Sequence, residues 1–144
     1  MVTKRDVSLA DFERYADRLP ERTRRRARHV VTEDVRTLES VAALKAGDIA
    51  RFGQLMNESH YSLQHDYEVS CRELDALVEA ARSIEGVYGA RMTGAGFGGC
   101  TVSLVATEAV EKFQQEVPAL YRQATGLTPA IYVTTAAQGA QRLR

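Results

Sequence analysis

Apolar residues Leu9, Phe12, Tyr15 and Leu19 recur at spacings of three and four, the period of one amphipathic helical face. Pro20 bounds them, so a short helix is predicted before it. Three firmer stripes follow. Val35, Leu38, Val41, Ala42 and Lys45 trace one face of a helix that Thr32 is expected to cap. Glu33 and Asp34 sit in its first turn, where the helix dipole favours anions, and Gly47 is its stop. Asp48 then caps a second helix with Ile49, Phe52, Leu55, Met56 and Leu63 on one side. Ser70 and Glu73 read as a capping box opening a third, whose face is Leu74, Leu77, Val78, Ala81 and Ile84 and whose end is Gly86. Connections this short predict antiparallel neighbours.

The period then changes from 3.6 to 2. Val87–Thr93 reads as a strand, and Cys100–Val105 alternates as a second. Thr107 is expected to cap a further helix with Val110, Phe113, Val117, Tyr121 and Ala124 on one side, ended by Gly126. Pro118 within it predicts a kink or a break, because it removes one hydrogen bond and crowds the preceding turn. Ala130–Thr134 is predicted as a last strand. Helices first, then strand, strand, helix, strand, is an α+β order: a small antiparallel sheet with helices on one face.

Composition narrows the function. The 144 residues suit one domain, and a hydrophobic share of 44% supplies a core. Nineteen basic residues balance nineteen acidic ones, which argues against a dedicated nucleic-acid binder. No run approaches the length of a membrane span, and Met1–Asp6 lacks a secretory signal, so a cytoplasmic location is expected. Residues 1–31 read as a charged linker with one short helix, and residues 32–144 as the domain proper. Arg22, Arg24, Arg25, Arg26 and Arg28 form either a phosphate-binding patch or a solvated face. His29, His60 and His65 are too scattered for a metal site and read as satisfied or surface groups. Cys71, next to the capping Ser70, reads as a packed thiol rather than one activated by a helix N-terminus, and Cys100 as a small strand residue.

The glycines are uneven. Six of the ten fall between Gly86 and Gly99. Gly94, Gly96 and Gly99 match the G-x-G-x-x-G spacing, but the dinucleotide fingerprint needs a helix after them, and an alternating strand follows. A protein-kinase nucleotide loop needs a strand lysine with H-R-D and D-F-G. The only lysines are Lys4, Lys45 and Lys112, and neither motif occurs. A Walker loop fails for want of G-K-[ST]. What remains is a backbone freed for positive φ that exposes successive amides, suited to an anion or to close packing against another backbone. A tight bulged hairpin is the structural alternative. Arg91 beside it is a candidate phosphate contact or one half of an ion pair.

The segment from Gly86 through Thr93, Gly94, Ala95, Gly96, Phe97, Gly98 and Gly99 to Cys100 resembles the third motif of the galactokinases, in the GHMP kinase superfamily. Met56–His60, Asp66–Cys71 and Arg25–Glu33 resemble the same family's helical region, though Gln64 and His65 stand where relatives often carry Arg and Asp. The resemblance runs from about residue 20 to 140. It implies a GHMP kinase C-terminal domain, with a ferredoxin-like antiparallel sheet after a helical bundle. It also implies magnesium-dependent transfer of the γ-phosphoryl of ATP to the C1 hydroxyl of galactose. In that family the glycine-rich turn, here Gly94 to Gly99, supports the phosphate-binding loop and closes the active site. The family's acidic sugar-binding motif, its serine-rich phosphate loop and its catalytic Asp and Arg do not occur here. No residue of this chain is therefore assigned as catalytic or as a metal ligand. A missing N-terminal domain, covalent or in trans, is the expected partner. A non-catalytic module for an anion or metabolite, or an inactive remnant, is the alternative.

Overall fold

The computed structural model describes residues 6–139. Ser8 caps α1 (Leu9–Tyr15) in a reciprocal box with Asp11, and Phe12 is its buried residue. A short 3₁₀ turn, Ala16–Arg18, leads to Pro20, which precedes the first residue of α2 (Glu21–Ala46). This 26-residue helix runs through the position where the sequence suggested a boundary and a Thr32 cap. Thr32 instead returns its hydroxyl to the Arg28 carbonyl at 2.8 Å, as a mid-helix threonine does. The arginine-rich stretch before it contains good helix formers and no breaker, so the helix begins early. Gly47, at φ 72°, ends it as expected.

The expected apolar face of α2 is not its buried face. His29, Val31 and Ala43 are buried, whereas Leu38 is 72% exposed and Val41 and Leu44 are exposed with it. Period alone marks an apolar stripe; only a neighbour buries it.

Asp48 caps α3 (Ile49–Ser62) by accepting the Arg51 amide hydrogen at 2.9 Å. A π-helical turn, Leu63–Tyr67, follows and ends at Glu68 with a left-handed φ of 56°. The helix α4 (Arg72–Arg82) starts one residue later than the predicted Ser70–Glu73 box. Cys71 takes the cap position, and the Ser70 hydroxyl donates to Asp75 instead. The helix stops at Arg82 rather than at Gly86, leaving Ile84 buried in the turn.

The strands β1 (Val87–Thr93) and β2 (Cys100–Val105) form an antiparallel hairpin with Thr93 opposite Cys100. Both match their predicted bounds. A 3₁₀ turn, Thr107–Ala109, precedes α5 (Val110–Thr125), so Thr107 starts that turn rather than capping α5. The helix α5 continues through Pro118 without a break. Gln114, whose carbonyl loses its partner to the proline, is exposed, and buried Val117 and Tyr121 keep the helix on its neighbours. Gly126 ends it.

Residues 130–134 are not a strand, and the described sheet has two strands. Ile131 touches the cluster around Val117, but Tyr132 is 88% exposed. Alternation selects which side chains face inward, and a strand also needs a ladder partner, which this segment lacks.

The helix α4 covers one face of β1 through Leu74, Val78 and Ala81 against Ala90 and Met92. The helix α5 adds Val117 against Ala80 and Ile84. The helix α3 lies against β1 so closely that a Cβ at Gly53 or Gly89 would overlap the other element's backbone.

Candidate functional site

Six residues, Gly94–Gly99, project beyond the last paired residues of the hairpin. Five of them have positive φ: 83° at Gly94, 82° at Gly96, 56° at Phe97, 122° at Gly98 and 108° at Gly99. Their backbones serve two directions. Gly96 faces inward, where a Cβ would overlap the Val69 carbonyl and lie 3.1 Å from the Met92 terminal methyl. Beside it the Phe97 amide donates to the Val69 carbonyl at 2.8 Å. Gly94, Gly98 and Gly99 face open space. The turn therefore packs on another backbone along one side and leaves the other side of its main chain accessible. Phe97 holds a left-handed conformation uncommon for a bulky residue, with its ring 75% exposed.

The surface under the turn is held by the arginines of α2. Arg25 donates to the Glu68 carboxylate at 2.9 Å and to the His65 carbonyl at 3.2 Å. Arg26 donates to the same carboxylate and to the Asp66 carbonyl at 2.6 Å, while Arg28 pairs with the Asp66 side chain at 3.2 Å. Hydrogen bonds from Arg26 and Arg25 hold the Glu68 carboxyl below its ordinary value of 4.5. Arg24 pairs with Glu21 and Asp17. Neither sequence reading of the cluster anticipated the contacts of Arg25, Arg26 and Arg28, because those join residues about forty positions apart.

The base of the turn is held from the other side by α3. Asn57 Oδ1 accepts the Ala90 amide hydrogen at 3.0 Å, and His60 Nδ1 accepts that of Met92 at 3.2 Å. With Nδ1 accepting, His60 carries its proton on Nε2, which lies 3.3 Å from Asp75 Oδ1. Asp75 also receives hydrogen bonds from Gln64 and Ser70. Burial pushes the His60 pKa below its ordinary value despite Asp75. His29, also lowered by burial, bonds Ser62 at 3.0 Å and stacks on Tyr67. Ser62 is 3% exposed and gives its hydrogen to Asp66, so this Ser–His–Asp grouping presents no nucleophile.

Of the two roles open to Arg91, the structure shows the ion pair: its guanidinium lies 3.2 Å from Glu33 Oε1. Burial alone would raise the Glu33 pKa, but hydrogen bonds from Ser59 and Arg36 and the charges of Arg36 and Arg91 bring it below 4.5. The group lines a cleft of about 330 Å³ between α2, α3 and β2. A second cavity, of about 1030 Å³, lies between α1, α2 and the glycine-rich turn, walled by Phe12, Tyr15, Val30, Tyr67, Val69 and Phe97. The amphipathic stripe before Pro20 was its one sequence signal. Cys71 is half-buried, and Cys100 is exposed at the start of β2, a strand residue as expected. Among the described residues no helix is long and apolar enough to cross a membrane.

Residues 40–123 match the family model described as GHMP kinases C terminal. The chain is 54% identical over 139 residues to a galactokinase of Roseiflexus sp. (strain RS-1), covering 96% of this chain and 36% of that protein. It is 50% identical to a galactokinase of Bos taurus, covering 34% of it. Its fold matches a Lactococcus lactis galactokinase solved in complex with galactose, with a TM-score of 0.85 and 43% identity across 89% of this chain and 33% of that one. An L. major mevalonate kinase solved with R-mevalonate matches at a TM-score of 0.60 and 25% identity, over 87% of this chain and 37% of that one. The chain thus spans about a third of the length of the curated relatives it matches.

Proposed function

The chain belongs to the GHMP kinases, whose C-terminal domain it matches over more than half its length, and on that premise we propose that it is the C-terminal part of a galactokinase. The reaction is ATP-dependent phosphorylation of galactose at C1, carried out when this part is joined to an N-terminal half. The observation that carries the reading is the likeness to a galactose-bound galactokinase, at a TM-score of 0.85 across 89% of the chain.

The chemistry of the turn fits the role. Phosphoryl transfer is mainly positioning and stabilisation of charge, and accessible main-chain amides supply fixed dipoles for both. Gly94, Gly98 and Gly99 have room for a phosphate-bearing neighbour to approach the backbone, where any side chain would obstruct it. In this reading the Gly94–Gly99 turn supports the phosphate-binding loop of the upstream half and closes the site over the nucleotide. ATP, when bound, supplies the γ-phosphoryl. Among the described residues no three carboxylate, histidine or cysteine side chains gather as metal ligands, and the reading assigns magnesium to the upstream half. The sugar pocket and the catalytic Asp and Arg belong there too. Arg91 is engaged by Glu33, and in this reading it acts as a support.

The exposed apolar residues suit contact with that half. Leu38, Val41 and Leu44 of α2 and Val102 of β2 are exposed, and the second edge of β2 has no strand among the described residues. Residues 1–31 then lead in from the upstream half, with α2 continuing into the domain.

The test replaces the matching C-terminal third of the Roseiflexus galactokinase with this chain. The chimera is expected to phosphorylate galactose, and the purified chain alone to show no turnover. A chimera that melts cooperatively but leaves galactose untouched would overturn the reading. So would turnover by the lone chain above that of its Gly96→Val variant. Tight calorimetric binding of ATP, ADP or galactose by the chain alone would favour a self-standing binding module.

A further inference from the structure

The turn that faces the upstream half is tethered to the body of the domain through one backbone carbonyl. The Phe97 amide donates to Val69, and Gly96 lies against the same carbonyl. Where Val69 points is therefore where the turn sits. Val69 is itself fixed by its neighbours: its own amide donates to the Leu63 carbonyl at 3.0 Å, and the preceding residue, Glu68, turns the chain at a left-handed φ of 56°. That conformation is unfavourable for a residue with a side chain and persists only where surrounding contacts hold it.

The contacts that hold it come from consecutive residues of α2. Arg25 bridges the Glu68 carboxylate and the His65 carbonyl; Arg26 bridges the same carboxylate and the Asp66 carbonyl. Each guanidinium thus spans both ends of the reversal between the π-helical turn and Val69. A single exposed ion pair contributes little order. Four charge-assisted bonds from one rigid helix onto one reversal are a different case, because the arginine fork fixes direction as well as distance. Both side chains are about a third exposed or less, with 31% and 26% accessible, and their guanidinium groups lie against the reversal at residues 65–68.

We propose that Arg25 and Arg26 are positioning residues for the glycine-rich turn, acting through Glu68 and the Val69 carbonyl rather than by touching a phosphate. The assignment of the turn to an active site rests on the reading above; the mechanical coupling from α2 to the turn does not. The arginines thereby set the height of the turn over the site it closes, and their loss loosens that turn while the hairpin beneath it stays. The hairpin has its own anchors, Asn57 on the Ala90 amide and His60 on the Met92 amide, which the arginines do not touch.

That separation supplies the test. Amide hydrogen exchange is measured at Phe97, Ala90 and Met92 in the 144-residue chain and in two variants. In Arg25→Lys/Arg26→Lys both charges remain but the forks are lost. In Glu68→Asn the residue tolerates left-handed backbone but offers the arginines no carboxylate. Exchange at Phe97 is expected to accelerate about tenfold in both, the weight of one charge-assisted bond, with Ala90 and Met92 within about twofold of wild type. Unchanged exchange at Phe97 in Glu68→Asn overturns the proposal. A uniform acceleration at all three amides overturns it too, by reducing the clamp to general stability. In the chimeric kinase, kcat is expected to fall about tenfold in both variants with KM for galactose unchanged, and Arg26→Lys to retain more activity than Arg26→Ala. Loosened Phe97 exchange with undiminished kcat overturns the positioning role. If instead the unmutated chimera is inactive while the exchange pattern appears, the galactokinase reading fails and the coupling stands.

Discussion

Asn57 Oδ1 on α3 accepts the amide hydrogen of Ala90 on β1 at 3.0 Å, so a helix side chain occupies a place that a neighbouring strand would otherwise take. Ala90 is fully buried, and water cannot replace that acceptor. Replacing Asn57 with Leu is expected to cost about 1–3 kcal/mol, the penalty of a stranded amide. Urea unfolding of the two proteins measures it. An unchanged midpoint would refute the account.

Gly53 and Gly89 carry the adjacent contact, where α3 and β1 meet backbone to backbone. By helix propensity alone, Gly53→Ala would stabilise α3 by about 1 kcal/mol. The overlap of its Cβ with Tyr88 is expected to reverse the sign, with a net loss of about 1–3 kcal/mol. A raised melting temperature for Gly53→Ala would show that the two elements have slack.

Among the loop glycines the structure ranks substitutions that sequence treats alike. Alanine at Gly98 or Gly99 meets open space, so its cost is that of its positive φ alone, about 1–3 kcal/mol. Alanine at Gly96 meets the Val69 carbonyl as well, and is expected to cost more than either and to release the Phe97 amide. Equal losses at Gly96 and Gly99 by thermal melting would count against the inward packing of the turn.

Acid is expected to weaken the fold in two stages. Burial depresses the pKa values of His29 and His60 in the folded protein, so the unfolded chain binds protons first. Their contribution is complete above pH 6.5, the ordinary value, and is lost as pH falls below it. Glu33 and Glu68 are also depressed, so theirs is complete above pH 4.5 and lost below it. His60→Asn keeps an acceptor near the Met92 amide without a titrating group, and should flatten part of the first stage. Melting temperatures from pH 8 to pH 3 test this, and a rise in stability on acidification to pH 6 would contradict it.

The sequence by itself determined what depends on neighbours along the chain. Both strands, the Gly47 and Gly126 helix ends and the Asp48 cap were legible, because a period, a cap or a positive φ is settled within a few residues. So was the uneven glycine run, whose long motif also carried the family resemblance. Local reading failed where the partner that a residue takes, or lacks, is not the one its own pattern implies. Ser70 gave its hydroxyl to Asp75, and the stretch at 130–134 found no ladder partner. The stripe at Leu38 and Val41 found no cover in the described chain.

Only the tertiary structure decided what the arginines do and which way each glycine faces. Arg25 and Glu68 are forty-three positions apart, and nothing in their composition says that one grips the other. Four glycines in six residues imply a freed backbone; that Gly96 turns in to Val69 while Gly98 and Gly99 turn out depends on where the chain at 66–69 is held. Conformational freedom is a local property of the chain. Its use is set by what lies within a few ångströms, and those neighbours are chosen by packing.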